Sequence, residues 1–94
     1  MKQGTGRAPI AEIYTGPRCG FCVRAKMLLN IKGITYVEKD ISVDENKIEM
    51  MRRLPQARSI PQIFLLGEHV GGCNDLERIA QDGSLDSRLR KSGA

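Results

Sequence analysis

The chain has no tryptophan, two tyrosines, two phenylalanines, one histidine and three cysteines among 94 residues. Each shortage excludes something. Four scattered aromatic rings make no stacking platform for bases. The net charge of +4 is mild and its cations are interleaved with acids, as in Glu38-Lys39-Asp40; only Arg52-Arg53 and Arg90-Lys91 are adjacent cations. Nucleic acid is therefore not an expected partner. No apolar run approaches the roughly 20 residues that span a bilayer, so no membrane association is expected. An odd cysteine count in so short a chain argues against a structural disulfide framework. Residues 1–9 are polar and lack an apolar segment, unlike a secretory signal. The expected setting is cytoplasmic, with residues 1–8 a flexible tail and residues 9–91 one domain.

The pattern along the chain alternates between strand and helix periods. Residues 9–14 (P-I-A-E-I-Y) alternate after Ile10 and predict a strand, closed by the breakers Thr15-Gly16-Pro17. Residues 20–31 predict a helix whose apolar stripe is Phe21, Ala25, Leu28 and Leu29, ended by Lys32-Gly33. Residues 34–38 are β-branched and aromatic and predict a second strand. Asp44 is the expected N-cap of a second helix running to Leu54, with Ile48 and Met51 inward. After Pro61, residues 62–66 and 69–70 predict a hairpin turned at Gly67-Glu68, followed by a helix over 75–81 and one or two helical turns over 85–90. The order βαβ, α, ββα implies an α/β fold. Its economical form is a four-stranded mixed sheet with helices on both faces.

Two of the cysteines stand as Cys19-Gly20-Phe21-Cys22 at the start of the first predicted helix. A thiolate there faces unpaired backbone N–H groups and the positive end of the helix dipole. Cys19 is therefore expected to ionise easily and act as nucleophile, with Arg18 beside it as a further cation. Cys22, one turn inside the helix, is expected to be more buried and to resolve a mixed disulfide formed on Cys19. The other chemistry open to these residues is zinc: Cys73 and His69 would complete a Cys₃His set. Zinc knuckles place Cys-x-x-Cys in a tight loop rather than at the head of an amphipathic helix, which favours redox exchange.

Three motifs, in order and spacing, give the sequence a resemblance to the glutaredoxin family. They are Tyr14–Cys22 with Arg24-Ala25-Lys26 and Leu28-Leu29 behind it, Ser59-Ile60-Pro61-Gln62-Ile63-Phe64, and Gly71-Gly72-Cys73-Asn74-Asp75. The resemblance implies a thioredoxin-like fold with Pro61 in the cis form, and a glutathione-dependent thiol–disulfide oxidoreductase acting on disulfide-bonded or glutathionylated proteins. It implies that Ser59, Ile60 and Pro61 present backbone to the cysteinyl part of glutathione. Phe21, Gly72, Cys73, Asn74 and Asp75 would complete the site, with Asp75 facing the γ-glutamyl ammonium. A monomer is expected.

The chain departs from that family pattern in two places. Where the resemblance implies a lysine three residues before the nucleophile, this sequence has Gly16. The cation for the glycyl carboxylate would then be Arg18, Arg58, or Lys47, the last only if Pro55-Gln56 carries a one-residue insertion; without it the match is Ile48. The active site reads Cys-Gly-Phe-Cys, close to the Cys-Gly-Phe-Ser of monothiol members. That implies an alternative in which Cys19 and glutathione ligate a 2Fe–2S cluster in a bridged dimer. Cys73 is read as a position whose backbone matters more than its sulfur, and His69 as polar surface. Tyr14 is read as either packing or assisting Cys19, Met50-Met51 as core, and Arg52-Arg53 as a solvated face.

Overall fold

The computed structural model describes residues 9–92; the expected tail, residues 1–8, lies outside them. The elements are β1 (Ala11–Thr15), α1 (Gly20–Ile31), β2 (Tyr36–Asp40), α2 (Asp44–Arg53), β3 (Gln62–Leu65), β4 (Glu68–Gly71), α3 (Cys73–Gln81) and α4 (Ser84–Ser92). The sheet order is β2-β1-β3-β4, with β1 parallel to β2 and antiparallel to β3, and β3 antiparallel to β4. A thioredoxin-like four-stranded mixed sheet with helices on both faces is the architecture that the sequence pattern implies.

The period of two along the central strands sorts their side chains onto two faces. Ala11, Ile13, Ile63 and Leu65 face one way and join Ala25 and Leu29 of α1, Leu76 and Ile79 of α3, and Leu85 of α4 in the main core. Tyr14 and Phe64 face the other way and meet only Met50 of α2 among buried residues, with Ile41, Leu54 and Ile60 around them.

Helix α1 ends where the sequence places a stop. Gly33 has φ +70°, its N–H bonds Asn30 O at 3.0 Å, and the Ile34 N–H bonds Leu29 O at 2.9 Å. This is a Schellman closure, with the apolar contact between Leu29 and Ile34 drawn into the core. It also explains a correction. Ile34 belongs to the helix stop, so β2 begins at Tyr36, two residues later than the period suggests.

The second correction is α2. Ile48 and Met51 are 60% and 50% exposed, whereas Met50 is buried. The inward stripe is Asn46, Glu49, Met50 and Arg53, a spacing of three and four that is mostly polar. Asn46 Nδ2 donates to Asp40 O at 3.0 Å, Glu49 takes Lys39 Nζ at 2.7 Å, and Arg53 reaches Glu12 at 3.0 Å. An apolar stripe cannot be read where hydrogen bonds do the anchoring. The N-cap is Val43, without a side-chain cap, and Asp44 is the first helical residue. Arg53 is likewise no solvated side chain: its guanidinium carbon sits over Phe64, 3.6 Å from the ring centre. Tyr14 packs. It is fully buried, and its hydroxyl donates to Glu49 and accepts from Arg53.

Candidate active site

The cysteine pair sits where β1 ends and α1 begins. Arg18, at φ +53°, turns the chain, and Cys19 then takes extended geometry (φ −115°, ψ 100°) as the N-cap of α1. A cap side chain must accept a hydrogen bond from the first turn. Here the acceptor is the Cys19 sulfur itself, which takes the Cys22 N–H at 3.2 Å. Cys19 and Cys22 are joined as a disulfide, with Cα atoms 5.2 Å apart. Cys22 is buried and Cys19 is part-exposed.

The Ile60-Pro61 peptide bond is cis and brings the loop before β3 against the pair, with the Ile60 carbonyl 3.9 Å from the Cys19 sulfur. Beside them runs an open groove of about 490 Å³. Phe21, Ser59, Ile60 and Pro61 form one wall; Gly72, Cys73, Asn74 and Asp75 form the other. The structure thus gathers eight of the sequence's candidate binding residues. Arg18, Lys47 and Arg58 stand exposed outside the groove lining, Arg58 with its guanidinium on Ala57 O at 3.3 Å. Gly16 does not leave an open slot for a side chain. A Cβ there would come within 2.7 Å of the Ile60 terminal methyl, so any larger residue requires Ile60 to move.

Helix α3 starts at Cys73, two residues before the sequence suggests, and its first three residues, Cys73, Asn74 and Asp75, line the groove. Asp75 accepts the Gly72 N–H at 2.9 Å and the Arg78 guanidinium at 3.1 Å. These contacts, the backbone N–H first, hold its carboxyl below the usual range, so the groove keeps one fixed negative charge. Gly71 permits that geometry: it has φ +123°, and a Cβ would fall within 2.7 Å of the Asp75 Cγ. Cys73 lines the groove, and its thiol lies in the main core against Glu77 at 3.7 Å. Burial, then the Glu77 charge, pushes that thiol up.

Three lining residues are not among the candidate binding residues of the sequence: Gln62 and Gly71, which stand inside the motifs, and His69. Gln62 is buried; it donates to Ser59 O at 3.0 Å and its carbonyl oxygen pairs with His69 Nε2 at 2.8 Å. It therefore ties the cis-proline loop to the edge strand. The available signal was strand period: Gln62 and Phe64 share a face, and Phe64 pairs in register with His69. The Cys₃His set does not assemble. Among the described residues no three such side chains gather, because the Cys73 thiol points into the α1–α3 core and His69 is engaged by Gln62.

Comparison with known proteins agrees with this geometry. The glutaredoxin family model matches residues 11–70. Glutaredoxin 3 of Escherichia coli K12 is 40% identical over 79 residues, covering 84% of this chain and 95% of that protein. The solution structure of glutaredoxin from Brucella melitensis superposes with a TM-score of 0.72 at 42% identity, covering 97% of this chain and 98% of that one. The crystal structure of a buckwheat glutaredoxin–glutathione complex superposes with a TM-score of 0.76 at 26% identity, over 92% and 81%. A disulfide-forming Cys-x-x-Cys at the head of a helix, a cis-proline loop against it and sequence kinship over nearly the whole fold converge: this chain belongs to the glutaredoxin family of thiol–disulfide oxidoreductases.

Proposed function

We propose that the chain reduces glutathione mixed disulfides and protein disulfides with glutathione as electron donor, in a cytoplasmic setting and as a monomer. The observation that carries this reading is the groove beside the cysteine pair, whose two walls match the two ends of a γ-glutamyl-cysteinyl group. The Ile60 backbone suits the cysteinyl part as an added strand would. The α3 N–H groups of Cys73 and Asn74 suit the α-carboxylate of the γ-glutamyl end, and ionised Asp75 suits its ammonium. The buckwheat relative, solved with glutathione, supports the same ligand. The glycyl carboxylate would draw on Arg18, Lys47 or Arg58 from outside the groove lining.

In the reaction, the Cys19 thiolate attacks the glutathione sulfur of a mixed disulfide. The protein thiolate leaves, and Cys19 holds glutathione. A second glutathione attacks that disulfide, releasing glutathione disulfide and restoring the thiolate. The N–H of Cys22 that caps the sulfur is placed to stabilise the anion. With a protein disulfide, Cys22 closes the intramolecular bond, which two glutathiones then reopen. The pairing of Cys22 with Cys19 favours exchange over cluster bridging, which asks only for the Cys19 thiolate. Two variants test this in a coupled assay with a small glutathionylated disulfide. Cys19→Ser is expected to abolish turnover, and Cys22→Ser to retain it while losing protein-disulfide reduction. Full activity in Cys19→Ser would sink the assignment. Feeble wild-type turnover, with visible absorbance and a dimer after anaerobic purification, would favour the cluster.

A further inference from the structure

Between α2 and β3 the chain has little to lean on. Residues 59–61 line the groove, and residues 53–57 line a second cavity of about 390 Å³. Gln62 and His69 are the residues that the two cavities share. Ser59 is exposed, and among the described residues no main-chain hydrogen bond holds Arg58, Ser59 or Ile60 to the rest of the fold. What reaches that main chain is a buried side chain: Gln62 Nε2 donates to Ser59 O at 3.0 Å. The Ser59–Ile60 peptide is trans, so its C=O and N–H point in opposite directions. Pinning Ser59 O to Gln62 therefore aims the Ile60 N–H away from Gln62.

The direction of the Gln62 amide is settled by chemistry. A carbonyl oxygen only accepts, so Gln62 must turn its NH₂ to Ser59 and its own oxygen the other way. That oxygen lies 2.8 Å from His69 Nε2, which must then carry the ring proton. Reversing the amide would set its oxygen against the Ser59 oxygen and leave both without a donor. His69 is itself held by packing: its ring centre lies 5.2 Å from that of Phe64, the ring that Arg53 covers. We propose that Gln62, oriented by His69, is a positioning residue for the glutathionyl group. It sets the Ile60 N–H for pairing with the cysteinyl backbone, and so favours glutathionylated disulfides over reagents that make no such pair. This rests on the reading of the Ile60 backbone as the partner of glutathione in the groove. The Cys19 sulfur itself meets the Cys22 N–H and the Ile60 carbonyl, not Gln62 or His69.

The test uses the reduced full chain and two reagents. One is a peptide joined to glutathione through its cysteine: the Cys19 sulfur bonds the glutathione sulfur, and the peptide leaves as its thiolate. The other is iodoacetamide, which alkylates the Cys19 thiolate without pairing with Ile60. Gln62→Met keeps the side-chain length and loses both polar ends. It is expected to slow peptide release about tenfold, the scale of one lost hydrogen bond, and to leave alkylation within about twofold of wild type. His69→Leu is expected to share most of that loss. His69→Gln, whose amide nitrogen can stand where Nε2 stands, is expected to restore release to within about twofold of wild type. Gln62→Met/His69→Leu should be no slower than Gln62→Met, because the one residue acts through the other. Unchanged release in Gln62→Met, an equal fall in alkylation, or no rescue by His69→Gln would overturn the proposal. So would losses that multiply in the double variant, which would make His69 a glutathione contact in its own right. If circular dichroism shows Gln62→Met unfolded, the two variants at exposed His69 carry the same test. Failure of wild type to release the peptide, while iodoacetamide still alkylates Cys19, would overturn the glutathione reading and this proposal with it.

Discussion

The two faces of the sheet are built from different materials. On the α1–α3 face, apolar residues from three helices close over Ala11, Ile13, Ile63 and Leu65. On the α2 face, one buried methionine joins Tyr14 and Phe64, with Ile41, Leu54 and Ile60 only partly buried around them, and charge is added: Lys39 bridges Glu12 and Glu49, and Arg53 pairs with Glu12 and donates to the Tyr14 hydroxyl. The redox pair stands at the head of the helix on the apolar face. The difference teaches that the site is mounted on the side packed by hydrocarbon, while α2 is a polar clamp holding the underside of the strands.

The largest expected effect falls on the apolar face. Leu29→Ala or Leu76→Ala removes a fully buried side chain and should cost about 2–5 kcal/mol in denaturant unfolding. Arg53→Met tests the polar face. It strips the stack on Phe64 and leaves Glu12 and the Tyr14 hydroxyl short of a partner, and should cost about 1–3 kcal/mol. A neutral result there would mean that the clamp contributes nothing and the faces differ only in composition. Gly33→Ala forces a Cβ into the left-handed region at the α1 stop and should cost about 1 kcal/mol.

The smallest effect is one of pH. Glu12 is held below its ordinary value chiefly by Arg53, and Glu49 chiefly by Lys39. Carboxylates lowered in the folded state add stability above their unfolded value, about 4.3, and lose it as pH falls through the depressed one. Tyr14 is pushed up, by burial first and then by Glu49, so its contribution fades as pH rises past its ordinary value. Both partners are part-exposed, so solvent screening keeps each contribution small. Amide exchange should therefore open α2 before α1 and α3 below about pH 4 and again at strongly alkaline pH. Simultaneous opening would erase the contrast between the faces.

What the sequence made legible follows the same division. Apolar periodicity located α1, β1, β3 and the main core because burial there is by hydrocarbon. Through the family resemblance they carry, the Cys19–Cys22, Ser59–Phe64 and Gly71–Asp75 motifs point to eight of the groove residues. The inward side of α2 was illegible, since Asn46, Glu49 and Arg53 point inward to make hydrogen bonds that no hydropathy pattern records. Gln62 and His69 were missed for a related reason: their pairing joins adjacent strands, and only the register reveals it. Arg18, Lys47 and Arg58 are long exposed cations, whose reach into the groove spacing along a chain does not determine.

The most direct test is a backbone amide map of the Cys22→Ser variant carrying glutathione as a mixed disulfide on Cys19. Glutathione binding along the groove predicts that the Ile60, Cys73 and Asn74 amides move and gain exchange protection, while those of α4, which lines no part of the groove, stay in place. Unmoved Cys73 and Asn74 amides, or changes centred on α4, would contradict it.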